Sequence, residues 1–212
     1  MEPTRLIAVR HGETAWNVDT RIQGQLDIEL NTRGQWQARR LGEALADDPI
    51  SAIYSSDLAR AWQTAQEIAR HGPLQVVAEP RLRERSFGLF EGRTFHDIQS
   101  ELPDQAQRWR QRDPEFAPAG GESLLVFRER VTHIVEELAS RHAGELVVLV
   151  AHGGVMDVLY RAATRQELQA PRTWQLNNAS INRMLWTPQG LTLVGWADEA
   201  HLDDSALDET SA

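Results

Sequence analysis

No cysteine and no lysine occur anywhere in this 212-residue chain. The first absence excludes disulfides, a thiol nucleophile and cysteine-ligated metal. The second excludes Schiff-base chemistry and the phosphate-loop lysine, and it makes all 22 basic side chains arginine. Genomic base composition is the simplest reason for that bias, although guanidinium suits phosphate well because it binds bidentately. No stretch approaches the roughly 18 to 20 apolar residues that a membrane span needs. Met1-Glu2-Pro3-Thr4 runs into the first apolar segment without a basic region and an apolar signal core. The expectation is a cytoplasmic protein with no membrane contact. A formal net charge of -9 argues against the basic face that a nucleic-acid partner would require.

What the chain does contain is two short apolar runs that each end in histidine and glycine. Leu6-Ile7-Ala8-Val9 leads into Arg10-His11-Gly12, and Leu146-Val147-Val148-Leu149-Val150-Ala151 leads into His152-Gly153-Gly154. Continuous runs of this kind, closed by glycine, read as buried strands of a parallel sheet. Ligands of open α/β sheets bind beyond the carboxyl ends of the strands. Both imidazoles are therefore expected in one crevice, with ring separations within roughly 8 Å. Arg10 beside the first histidine adds a fixed cation, which suits phosphate better than a metal.

The remaining pattern alternates strand and helix. Helices are expected near Arg33–Ala46, with an apolar face of Trp36, Leu41 and Leu45, and over Leu58–Arg70, with Asp57 as its cap. Ala52–Tyr54 and Leu74–Ala78 read as strands. Pro80–Gly121 breaks the pattern with one or two short helices, an excursion of the kind that shapes a pocket. A helix follows through Leu125, Val126, Val131, Ile134, Val135 and Leu138, and another near Val155–Ala163. Ile181–Trp186 and Leu191–Trp196 form a hairpin-like pair. The expected fold is a three-layer α/β/α sandwich with a largely parallel central sheet. One domain spans residues 1–197, and residues 198–212 form an acidic, poorly ordered tail.

Four ordered motifs carry a family resemblance. Arg10-His11-Gly12-Glu13-Thr14-Ala15-Trp16-Asn17, Ser55-Ser56-Asp57-Leu58-Ala59-Arg60, Leu82-Arg83-Glu84-Arg85-Ser86-Phe87-Gly88 and Ala151-His152-Gly153-Gly154 resemble the histidine phosphatase superfamily, the phosphoglycerate mutase-like family. The resemblance implies that His11 becomes phosphorylated. It also implies that Arg10, Arg60, Asn17, Gln23 and Gly153 bind phosphate, that His152 donates to a phosphate oxygen, and that Glu84 is the general acid. The local chemistry agrees. Gly12 lets its own carbonyl approach one ring nitrogen of His11, leaving the other as a lone-pair nucleophile. Without the motif, Arg60 would read as a solvated helix face, Asn17 as a loop-closing side chain, and Glu84 as an ion pair with Arg83 or Arg85.

The resemblance leaves hydrolase and mutase both open, as well as a non-catalytic phosphate-binding relative. The short excursion, the 67 residues between Glu84 and His152, and Gly120-Gly121-Glu122-Ser123 with Arg130 resemble the phosphatase-type members. Glu84-Arg85 instead resembles the mutases, in which the matching arginine contacts a carboxylate, so Arg85 is a candidate substrate-binding residue. A hydrolase acting on a small phosphorylated metabolite is the expected function. No metal or cofactor is expected, since His11, His152, Glu13 and Asp57 lack ligand spacing and Arg10 would repel a cation. Members of the family are often dimers, and a homodimer is the corresponding expectation here.

Overall fold

The run ending in His11 forms strand β1 (Thr4–Arg10), and the run ending in His152 forms β4 (Leu146–Ala151), in the computed structural model, which describes residues 2–203. With β2 (Ile50–Ser55), β3 (Val76–Ala78), β5 (Ile181–Thr187) and β6 (Gly190–Asp198) they make one sheet, in the order β3-β2-β4-β1-β5-β6. Its pairings are parallel except for those of β5, which runs against β1 and β6. The helices are α1 (Ala15–Val18), α2 (Thr32–Ala44), α3 (Ala59–Ala69), α4 (Phe95–Glu101), α5 (Pro103–Arg110), α6 (Leu124–Ser140) and α7 (Gly153–Thr164).

Successive strand residues point to opposite faces, and both faces here are covered. Leu6, Ala8, Val147, Leu149 and Ala151 pack with Val131 and Ile134 of α6 and with Val155 and Leu159 of α7. Ile7, Val9, Val148 and Val150 pack on the other side with Leu41 of α2 and with Ala61, Ala65 and Ile68 of α3. All six residues of β4 are buried, which is why its sequence shows no polar alternation. This is the α/β/α sandwich expected from the sequence.

Register and connectivity then place the two histidines. Arg10 pairs with Ala151, so His11 and His152 leave adjacent strands at the same level. The His11 N–H continues the ladder to the Ala151 carbonyl at 3.0 Å. The chain after β1 leads to α2 on one face of the sheet, whereas the chain after β4 leads to α7 on the other, so the two connections part to opposite faces. Such a switch point opens a crevice.

The excursion folds over that crevice on a small core of its own. Phe90, Ile98, Ala106 and Phe116 are its buried centre, flanked by Phe87, Phe95 and Trp109. A Thr94–Asp97 capping box starts α4, and Pro103 starts α5.

Four local expectations need correction. Asp57 does not cap α3. Its carboxylate is held by Arg83, at 2.6 Å to Nε and 2.5 Å to Nη2. The first N–H of the helix, that of Ala59, donates instead to Asp27 at 2.7 Å, from a loop 32 residues upstream. Trp36 is only half-buried in α2, where Gln37 and Ala38 join Leu41 on the inner face. Val126 is exposed on α6. The domain also continues past residue 197. Asp198 belongs to β6, and Ala200–Leu202 forms a 3-10 turn whose His201 carbonyl accepts from Arg40 at 3.0 Å. Residues 204–212 of the expected tail lie outside the described residues.

Candidate active site

His11 opens the loop after β1 and is buried. Its Nδ1 lies 2.7 Å from the Gly12 carbonyl oxygen, so that nitrogen carries the proton of the neutral ring. Nε2 keeps its lone pair. The loop is pinned on several sides. The Gly12 N–H donates to Thr64 Oγ1 at 3.1 Å, and Asn178 Nδ2 donates to the His11 carbonyl at 2.9 Å. Gly12 also packs on Gly34 in the first turn of α2. A Cβ on Gly12 would meet the Gly34 carbonyl oxygen at 2.4 Å, so the contact requires glycine.

His152 stands beside His11 with ring centroids 5.3 Å apart, inside the expected limit. It is wholly buried, and the residues that line the cavity in front of His11 do not include it. Its Nε2 is 2.8 Å from Ser56 Oγ. Because Leu58 N–H donates to the same oxygen at 3.3 Å, the Ser56 hydroxyl hydrogen is available to Nε2. With the hydroxyl donating, the ring proton lies on Nδ1, which is buried without a protein partner. Ser56 thus anchors the ring. Its position in the Ser-Ser-Asp motif was the only sequence signal of that role.

Burial, reinforced by the nearby Arg60 and Arg10 guanidiniums, holds the His11 imidazole well below its ordinary 6.5. Burial, then Arg60 and His11, does the same for His152. Both rings are neutral at pH 7. The unfolded chain would bind protons on them near 6.5 and the folded chain would not, so stability is retained above that value and falls as pH drops below it. In the ligand-free protein, NMR titration from pH 8 to pH 6 is expected to leave both imidazoles unprotonated. A midpoint at or above 6.5 for either ring would contradict this electrostatic account.

The cavity in front of His11 measures about 180 Å³ and is lined by Arg10, Asn17, Gln23, Arg60, Glu84 and Gly153, among others. It is small for a ligand site, which suits a phosphoryl group and little more. Arg60 Nη1 and Nη2 donate to the Leu26 and Gly24 carbonyls at 2.8 and 2.7 Å, tying the loop that bears Gln23. Burial lowers its pKa to about 10, with Glu84 and Asp27 opposing, so it stays charged at pH 7. Arg10 Nη1 donates to the Leu176 carbonyl. The Nε atoms of Arg10 and Arg60, like Nδ1 of His152, are buried donors with no protein acceptor. Two of these donors belong to side chains that line the cavity and the third to the ring packed on His11, and together they prefigure an anion, since an unpaired buried polar group is otherwise costly. Asn17 serves the loop as well. Its Oδ1 accepts from the Thr14 N–H at 3.0 Å in a capping box, leaving the amide nitrogen for a ligand.

Glu84 enters from the excursion. Its two oxygens accept from the backbone N–H groups of Arg85, at 2.8 Å, and Gly154, at 2.9 Å. A Cβ on Gly154 would lie 2.2 Å from Glu84 Oε1, so the second glycine of the His-Gly-Gly motif makes room for the carboxylate. Glu84 has no ion pair with the side chain of Arg83 or Arg85: Arg83 is spent on Asp57, and Arg85 Nε and Nη2 donate to the carbonyls of Glu122 and Phe116 at 2.8 and 2.9 Å. Arg85 is accordingly a buried brace of the excursion; it borders the cavity adjoining that of the phosphate, which also contains Glu84 and Phe87.

The histidine phosphatase superfamily (branch 1) model matches residues 6–199, and that span contains every residue of this site. The chain belongs to this superfamily. It is 38% identical over 207 residues to a metal-independent phosphoserine phosphatase of Arabidopsis thaliana, covering 95% of this chain and 84% of the relative. It is 37% identical over 206 residues to phosphoglycerate mutase-like protein 4 of the same plant, covering 95% and 88%. A solved mycobacterial glucosyl-3-phosphoglycerate phosphatase superposes with a TM-score of 0.82 at 34% identity, over 92% of this chain and 99% of that one. As a superfamily member with such relatives, the chain is a phosphoric monoester hydrolase by class.

Among the described residues of this histidine phosphatase, no group of three or more His, Asp or Glu side chains is placed to hold a metal ion. No helix among them is long and apolar enough to cross a membrane. A groove of about 670 Å³ along α2, α3 and β3 contains none of the predicted site residues, and its charged side chains Glu67 and Arg70 pair with each other at 2.9 Å.

Proposed function

We propose that the protein hydrolyses a small alkyl phosphate in two steps through a phosphohistidine on His11. The observation that carries this reading is the His11 ring, fixed by Nδ1 on the Gly12 carbonyl at the edge of a cavity shared with Arg10, Arg60 and Glu84. In the first step the Nε2 lone pair attacks phosphorus, the bond from phosphorus to the alcohol oxygen breaks, and the carboxylic acid of Glu84 protonates the departing oxygen. In the second, the Glu84 carboxylate takes a proton from water as the water oxygen attacks phosphorus. The N–P bond breaks, and orthophosphate and neutral His11 are released. Arg10, Arg60, Asn17, the Gly153 N–H and His152 Nδ1–H stabilise the three equatorial oxygens, where transition-state charge resides. The N-terminus of α7 serves both centres, since its first N–H faces the phosphate and the next holds Glu84.

Hydrolysis is favoured over mutase chemistry by the pairing of three arginines in the excursion, while a fourth, Arg110, donates to Gln99. Arg93 pairs with Glu101 at 2.5 Å, Arg108 with Asp113 at 2.7 Å and Arg112 with Asp157 at 2.8 Å. A bisphosphorylated cofactor would need such cations unpaired. The test is phosphate release from a panel of phosphorylated metabolites, with and without added 2,3-bisphosphoglycerate. Release without the additive is expected. Interconversion of phosphoglycerates that depends on it, without net release, would establish a mutase instead.

A further inference from the structure

Strand β5 runs antiparallel to β1 with Ile181 opposite Val9, so the residues just before β5 meet the residues just after β1. The turn ahead of β5 is bonded to the nucleophile loop at several points. The Ala179 N–H donates to the Arg10 carbonyl at 2.9 Å and to that of His11 at 3.3 Å, and the Leu176 carbonyl accepts from Arg10 Nη1. Ala179 is wholly buried at φ 57°, a left-handed backbone that a residue other than glycine keeps only where its surroundings impose it. Asn177 secures the turn on another side. Its carbonyl accepts from Ser180 Oγ at 2.9 Å, and its Nδ2 donates to Glu199 Oε2 at 2.7 Å.

Asn178 extends from this turn to the phosphate ligands. Its Nδ2 donates to the His11 carbonyl at 2.9 Å and to Asn17 Oδ1 at 3.3 Å. A side-chain amide carries two N–H donors, so both bonds can be made at once. The two acceptors are the nucleophile's own peptide and a side chain that lines the phosphate cavity.

Asn17 sits in α1, a four-residue helix with no buried residue, so packing does little to place it against the sheet. The N–H and hydroxyl of Thr14 hold Asn17 Oδ1 at 3.0 and 3.1 Å, but those bonds are local to the helix. Asn178 ties the same oxygen to the peptide of His11. With these donors on Oδ1, the Asn17 amide cannot turn over without setting N–H against N–H, which keeps its nitrogen for the phosphoryl group.

We propose that Asn178 is a positioning residue for phosphoryl transfer. It acts through Asn17, holding that amide at a fixed distance from His11 with its nitrogen toward the phosphoryl oxygens. This inference rests on the hydrolase reading, because it takes Asn17 as a phosphate ligand.

The test is a double-mutant cycle read in kcat/KM for nitrophenyl phosphate, with inhibition by inorganic orthophosphate measured alongside. Asn17→Ala and Asn178→Ala are each expected to lower kcat/KM by at least about tenfold, the size of a hydrogen bond to a charged group. Both should weaken orthophosphate inhibition. In the Asn17→Ala background, Asn178→Ala should cost less than about twofold, because the side chain it acts through is gone. Asn178→Asp keeps the shape but has no N–H to donate, so it should lose at least as much as Asn178→Ala, and it carries the test if the alanine variant fails to fold. A residue that only supports the turn would instead give losses that multiply in the double variant and leave orthophosphate inhibition unchanged. That result, full activity in either Asn178 variant, or no loss in Asn17→Ala would overturn this inference alone. Failure of the wild type to release phosphate from any phosphomonoester of the panel would overturn the hydrolase reading and this inference with it.

Discussion

Replacing His11 with alanine is expected to abolish phosphate release while the protein stays folded. The loss should span many orders of magnitude, because a covalent route needs a nucleophile and the site holds no second one. Cysteine and lysine are absent from the chain. His152 is wholly buried with Nε2 on Ser56, so its ring is not placed to take over. The fold should survive, since the ring is outside the two apolar cores that hold the helices to the sheet. Wild-type protein mixed with a ³²P-labelled substrate should trap label that is lost in acid and kept in base, as expected of phosphohistidine. Label of the same stability on His11→Ala would place the nucleophile elsewhere.

The second large effect concerns Glu84 and depends on the leaving group. An alkoxide leaves poorly without a proton, whereas nitrophenolate leaves almost unaided. General acid catalysis contributes about 10²–10⁴-fold, so Glu84→Gln should slow phosphorylation by an alkyl phosphate by about that factor. The burst phase with nitrophenyl phosphate should change far less. Steady-state turnover of the aryl ester is a poorer measure, because the same carboxylate activates water in the second step. The amide retains an acceptor oxygen for the Gly154 N–H, so the position of the side chain is largely preserved. Equal losses in the burst phase for both substrates would mean that Glu84 acts by placement alone.

The two strands that carry the histidines were legible in the sequence because their burial is written into consecutive residues. A six-residue run such as Leu146–Ala151 can be satisfied only where both faces are covered, and that condition already implies helices on either side. The long helix α6 was equally plain, since Val131, Ile134, Val135 and Leu138 recur at helical spacing. Helix ends were less legible. Asp57 has the side chain of a cap and stands two residues before α3, yet Arg83 captures it and Asp27 takes its place. Both partners come from distant segments, so no local rule could have preferred one arrangement over the other.

The same division runs through the site. By itself the sequence determined the sheet-and-helix architecture, the pair of strand-end histidines, and the arginines and glutamate that accompany them, because motif order and apolar runs are properties of contiguous residues. Tertiary structure decided what each of those side chains is free to do. Arg85 was tied to two carbonyls of the excursion. Ser56 anchored the ring of His152, and Gly154 held Glu84 in place. The physical reason is that a side chain's availability depends on every donor and acceptor within about 3 Å of it, and those neighbours come from loops far apart along the chain.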